Sequence, residues 1–210
     1  MKLENQIAVI TADVVKSSLL SESDMKIFKE KIESYKDKKI VIKPRFYRGD
    51  SFQLAVNPMD ALLLAIKFRM EIKQWKEKND VRISIGIGEI SHWNDDVLLA
   101  RGSAFERSGK NLDNLKDVGL NIIIVTGNAE LDDELETYCY MADEFIKNQT
   151  TVQANLVFQM LNGIQQIEIA KMLGISQPSV SKSLKAANWK LIERFLRRYE
   201  RIIQKNYATA

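Results

Sequence analysis

One passage constrains this chain more than any other: residues 165–185, QQIEIAKMLGISQPSVSKSLK. Ile169, Ala170 and Leu173 recur at helical spacing. Gly174 then supplies the backbone freedom that a left-handed helix end requires. Ser176 is placed to cap a second helix, and Pro178 falls in that helix's first turn, where a missing N–H costs nothing. Val180 and Leu184, four residues apart, put an apolar seam on the second helix, facing the seam of the first. Two short helices meeting at a glycine turn, with the small Ala170 at their crossing, form a helix-turn-helix unit.

The outward face of the second helix carries Gln177, Ser179, Ser181, Lys182 and Lys185. These are the groups that read and hold a duplex. Glutamine pairs bidentately with adenine, serine serves either base type, and lysine reaches guanine or phosphate. The plain alternative is a solvated face of a helical hairpin. Spacing, glycine, cap and basic face together favour double-stranded DNA as the partner. Charge agrees. From Thr151 onward nine basic residues face three acidic ones, a net of +6, whereas the 22 basic and 25 acidic residues before it net −3. A near-neutral chain thus hides a basic C-terminal part suited to phosphate contact. The pattern Gln-x-x-Ile-Ala-x-x-Leu-Gly-x-Ser-x-x-x-Val-x-x-x-Leu resembles the helix-turn-helix of bacterial transcriptional regulators and sigma-factor-like proteins.

At 210 residues the chain suits one to two domains, each with its own core. The single Cys139 excludes an internal disulfide and a cysteine metal cluster, and its neighbours Tyr138, Tyr140 and Met141 suggest a half-buried structural thiol. The N-terminal apolar run is too short for a signal peptide, and no window has the roughly 20 apolar residues that span a bilayer. A cytoplasmic protein with no membrane partner, from a bacterium-like host, is expected.

Taken in order, residues 7–13 (IAVITAD) read as a strand buried on both faces, and residues 21–35 as an amphipathic helix. Residues 40–47 and 51–56 read as a hairpin turning at Arg48-Gly49-Asp50. Residues 59–78 follow as a helix whose buried side carries Ala61, Leu64, Ala65, Phe68, Ile72 and Trp75. Residues 81–90 (VRISIGIGEI) read as a strand whose two glycines mark close backbone approach. Helix at 102–116, strand at 120–126 and helix at 128–146 complete an α+β body. Its first part, βαββαβ, is the ferredoxin-like arrangement. The polar run 147–151 is the expected seam between domains at 1–147 and 151–210. The second domain is expected to be all-α, with a first helix at 151–161 and a long last helix at 186–207. The apolar stripe of that last helix suits a core or a homodimer interface, and paired half-sites favour the homodimer.

Asp13 ends the first strand and Asp50 sits in the hairpin turn beside it. Two carboxylates meeting at one sheet end are hard-oxygen ligands for Mg²⁺ or Mn²⁺ carrying a nucleotide's phosphates. ITADVVKSS, YRGDSFQLA, VRISIGIGEI and GSAFERSGK fall in the order of the core motifs of class III nucleotidyl cyclase domains, whose palm-like fold is shared with GGDEF diguanylate cyclases. The resemblance covers residues 7–110. It implies that Asp13 and Asp50 hold metal; Arg48 and Lys110 are, from their charge, the candidate ligand-binding residues for a nucleotide's phosphates if that face opens to solvent. At the positions of the family's transition-state Asn and Arg stand Glu106 and Lys110. A carboxylate there repels polyphosphate, and lysine lacks the bidentate fork of arginine, so cyclisation is not expected. Lys16 and Lys43 could add to phosphate attraction, whereas the lone His92 reads as a surface residue. The whole chain is similar to small bacterial proteins of the SatD type, which join such a fold to a C-terminal helix-turn-helix. That resemblance implies a DNA-binding regulator with a degenerate cyclase-like sensor or dimerisation domain. The alternative is a metal-dependent nucleotidyl cyclase-like enzyme with an accessory helix-turn-helix.

Overall fold

Nine of the ten residues of the first strand, Gln6–Val15 (β1), are buried in the computed structural model. Such a strand must lie in the middle of its sheet with both faces covered. The structure describes residues 6–75 and 79–207. Beyond β1 come α1 (Glu22–Glu33), the hairpin β2 (Ile40–Tyr47) and β3 (Ser51–Val56), α2 (Ala61–Lys73) and β4 (Asp80–Glu89). Then follow α3 (Ser103–Val118), β5 (Ile122–Val125) and α4 (Ala129–Lys147). Four helices complete the described residues: α5 (Thr151–Leu161), α6 (Gln166–Leu173), α7 (Gln177–Ala186) and α8 (Trp189–Tyr207). The fold is α+β, with one five-stranded sheet ordered β2-β3-β1-β4-β5. Only β4 and β5 run parallel; the other neighbouring pairs are antiparallel.

Strand alternation assigns the two faces of the sheet. Ala8, Ile10, Ala12 and Val14 join the main core with Phe28 of α1 and most of α2. Ile7 and Val9 join Ala104 of α3 and the residues Val97 and Ala100 in a smaller cluster on the opposite face. Thr11, next in that second series, donates to Ser108 Oγ of α3 at 2.8 Å. Asp13 follows it and therefore points to the α3 side. The glycines of β4 let α3 lie so close. A Cβ at Gly86 would overlap the Ala104 carbonyl oxygen, and one at Gly88 would overlap Ser103 Oγ.

The helix expected at 59–78 differs in two ways. It starts after a 3₁₀ turn at Pro58–Asp60, and residues 76–78 lie outside the described residues. Nearly all of α2 is buried rather than one stripe, because α5 packs on the side away from the sheet. A single apolar cluster accordingly runs from the sheet through α2 into α5, α6, α7 and α8. The polar seam is held as well: Gln149, 2% exposed, donates through Nε2 to the Ala187 carbonyl at 2.8 Å. Tyr199 of α8 donates its hydroxyl to the Pro58 carbonyl at 2.6 Å, tying the last helix to the start of α2. Cys139 is fully buried rather than half-buried, and burial pushes its thiol pKa up. The last helix begins at Trp189, not at residue 186, since Ala186 ends α7 and Asn188 turns left-handed at φ 57°. Among the described residues no helix is long and apolar enough to cross a membrane.

Candidate functional site

The local chemistry of α6 and α7 follows from a few residues. Glu168 Oε2 accepts the Gln165 backbone N–H at 3.2 Å at the start of α6, and Gly174 ends that helix in the left-handed region at φ 65°. Ser176 caps α7 by accepting the Ser179 N–H at 3.3 Å, an interaction worth about 1 kcal/mol. Ile169 and Ala170 are buried against Val180 and Leu184. Leu173, expected in that seam, is instead 42% exposed. Gln177, Ser179, Ser181, Lys182 and Lys185 are all exposed. Two of them are already oriented. Gln177 Nε2 donates to Gln166 Oε1 at 3.1 Å, and the Ser179 hydroxyl lies 2.8 Å from Ser176 Oγ. α7 thus offers solvent a row of amide, hydroxyl and ammonium groups on a helix capped at its N-terminus by Ser176.

A second site lies at the end of β1. Asp13 pairs with Ser51 of β3 on one side and with Arg82 of β4 on the other. A polar cleft of about 580 Å³ opens there, lined by Asp13, Lys16, Tyr47, Arg48, Asp50 and Lys116 among others. Asp13 is 7% exposed, with Arg82 Nε 3.5 Å from Oδ1 and Lys116 Nζ 3.5 Å from Oδ2. Burial raises its pKa, Arg82 and Lys116 oppose the rise, and Asp50 adds to it. Asp50 lines the same cleft as Asp13. Two residues of the cleft hold left-handed backbone without being glycine: Lys16 at φ 55° and Arg48 at φ 48°. Each such residue costs about 1–3 kcal/mol, which its surroundings must offset.

Of the residues picked out in the sequence, Asp13, Asp50, Arg48 and Lys16 line this cleft. Lys110 and Glu106 do not; both are exposed on α3, whose Gly109, Leu112, Asp113 and Lys116 reach the cleft instead. Lys43 is exposed on β2 and His92 on the loop after β4, and neither lines the cleft. Arg82, Asp113 and Lys116 escaped the sequence reading. Arg82 stands in VRISIGIGEI, but only the β1–β4 register sets it opposite Asp13.

The fit to a divalent cation rests on Asp13. Its Oδ1 is buried and accepts no hydrogen bond among the described residues, its nearest cation being Arg82 Nε at 3.5 Å, so it keeps lone pairs for a metal. Among those residues no cluster of three or more His, Cys, Asp or Glu could hold a metal. The donor set therefore suits a cation that takes two carboxylates from the protein and its other oxygens from a phosphate or water. No family model, curated protein or solved structure matches the chain.

Proposed function

We propose that the protein is a DNA-binding transcriptional regulator, in which α6 and α7 form a helix-turn-helix and α7 enters the major groove. The observation that carries this reading is the exposed, preorganised polar face of α7 on a helix pair with a left-handed glycine turn. Gln177 is the base-reading group, held by Gln166. Lys182 and Lys185 contact phosphate, Ser179 and Ser181 fill the surface between them, and the +6 tail steers the approach. Selection from a random pool of duplexes tests it. Enrichment of one sequence is expected; a pool that stays random after repeated rounds removes the reading.

The body supplies the sensor. Its strand order β2-β3-β1-β4 supports a ferredoxin-like, cyclase-related domain at 1–147, with an all-α domain at 151–210. The cleft, with Arg48, Lys16, Arg82 and Lys116 around Asp13 and Asp50, suits a phosphate-bearing ligand such as a nucleotide. Mg²⁺ or Mn²⁺ on Asp13 and Asp50 would neutralise phosphate charge there. Glu106 and Lys110 stand outside the cleft, which speaks for binding and against cyclase-like transfer. Tyr199 and Gln149 tie the halves together: Tyr199 of α8 donates to the Pro58 carbonyl at 2.6 Å, and Gln149 of the seam donates to the Ala187 carbonyl at 2.8 Å. A ligand that alters the body thus has two contacts through which to move the reading helix.

Asp13→Asn separates a ligand role from a structural one. Burial disfavours the ionised aspartate more than Arg82 and Lys116 favour it, so the variant is expected to melt no lower than wild type. Calorimetric titration with nucleotides and Mn²⁺ is expected to show binding in wild type and none in the variant. Equal binding by both would remove the metal from Asp13.

A further inference from the structure

Among the described residues, α4 and α8 share an exposed face. α4 and α8 lie side by side in opposite directions. Arg198 Nη2 lies 2.7 Å from Glu134 Oε1, and the rings of Tyr138 and Phe195 have centroids 5.8 Å apart. One turn further up α4 and down α8, Met141, Phe145, Leu191 and Arg194 line a shared apolar groove of about 350 Å³. Met141 is 55% and Leu191 42% exposed, facing solvent at the groove's mouth.

The charges along this face of the two helices are sorted by helix. At 100° per residue, Glu130, Asp133 and Met141 share one side of α4, while Leu191, Arg194 and Arg201 share the adjoining side of α8. All six are exposed. Across the whole helices the contrast is the same: seven acids and one lysine on α4, six basic residues and two glutamates on α8. An acidic helix next to a basic one, with an apolar strip between, complements itself.

We propose that the α4–α8 face is where a second copy of this chain docks, about a two-fold axis running along the groove. That axis lays each α4 on the other copy's α8, so acid meets base twice and Met141 meets Leu191. An axis across the groove would lay like on like, acid on acid, and is disfavoured. Nucleic acid and anionic membrane do not suit the surface, since its α4 half is acidic. Docking on this surface is specified by charge and shape alone. Its consequence, a fixed spacing between two α7 helices, deepens the DNA-binding reading and rests on it.

Sedimentation velocity on the full chain tests the proposal. Wild type is expected to be dimeric at tens of micromolar and low salt, and to dissociate as salt is added. Met141→Asp and Leu191→Asp are each expected to be monomeric. Asp133→Arg and Arg201→Glu are each expected to weaken the dimer by about tenfold, and the double variant to regain it. All four side chains are exposed, and unchanged circular dichroism would show that the fold is kept. A monomeric wild type, a dimer untouched by Met141→Asp, or a double variant no better than the single ones would overturn the proposal. A dimer that selects no duplex would leave this interface standing and remove the DNA-binding reading alone.

Discussion

Arg69→Met is expected to cost about 3–5 kcal/mol of stability or to prevent folding altogether. Arg69 is fully buried and holds Asp80 through two hydrogen bonds, Nε to Oδ1 at 2.9 Å and Nη2 to Oδ2 at 2.7 Å. The same Nη2 lies 2.7 Å from Asp143 Oδ1. Lys73, 2% exposed, brings the second positive charge, 3.7 Å from Asp80. Two cations and two anions thus cancel inside the core, where α2, β4 and α4 meet. Burial alone would lower the pKa of Arg69, but Asp80 and Asp143 hold it above its ordinary value. Methionine fills the space and leaves two buried carboxylates with one lysine, which is the costly half of the exchange. Arg69→Lys keeps the charge and still loses the two-pronged bond, so it too is expected to destabilise.

The same network sets the acid limit of the fold. Burial would raise the Asp80 pKa, but Arg69 and Lys73 outweigh it and hold the carboxyl below its usual value. A depressed acid stabilises the folded state above its unfolded pKa, near 4, and that contribution fades as pH falls through the folded value. Denaturant melts of wild type are therefore expected to weaken below about pH 4. An Asp80→Asn variant would show less of that decline. A variant at Arg69 as stable as wild type would show that the network contributes nothing.

Gln177→Ala combined with Lys182→Ala and Lys185→Ala is expected to lower affinity for a selected duplex by at least about a hundredfold, with the fold intact. Loss of a bidentate base contact costs about 1–3 kcal/mol, and each lysine removes a phosphate contact besides. The three act differently when taken singly. Gln177→Ala should relax the preference at one base pair and leave salt dependence alone, whereas each lysine change should weaken all sequences alike. Because none of these side chains is packed in the core, far-ultraviolet circular dichroism should be unchanged. Gel-shift titrations on the selected sequence and on a scrambled one separate the two effects. Equal affinity in wild type and triple variant would remove α7 from the interface.

Much of this was legible before the structure. A continuous apolar run placed β1 to within two residues, and turn and cap residues marked the β2–β3 hairpin at Gly49, the end of α6 at Gly174 and the start of α7 at Ser176. The glycines of β4 marked where α3 lies against the sheet. What stayed hidden depends on partners distant in sequence. Arg69 carries no signal of its own in the sequence, because its partners Asp80 and Asp143 come from β4 and α4. Arg82 and Lys116 become neighbours of Asp13 only through strand register and the path of α3. Lys110, favoured by motif alignment, turns away from the cleft because α3 presents Gly109, Asp113 and Lys116 along its inner line.

The most direct measurement is the salt dependence of duplex affinity for the wild-type chain, followed by fluorescence anisotropy. A base-reading helix backed by lysines predicts a straight log–log plot falling with a slope of about −0.9 per phosphate contacted, flattened by about one for each of Lys182→Ala and Lys185→Ala. An affinity that is absent at every salt concentration, or a slope that neither lysine change alters, would contradict it.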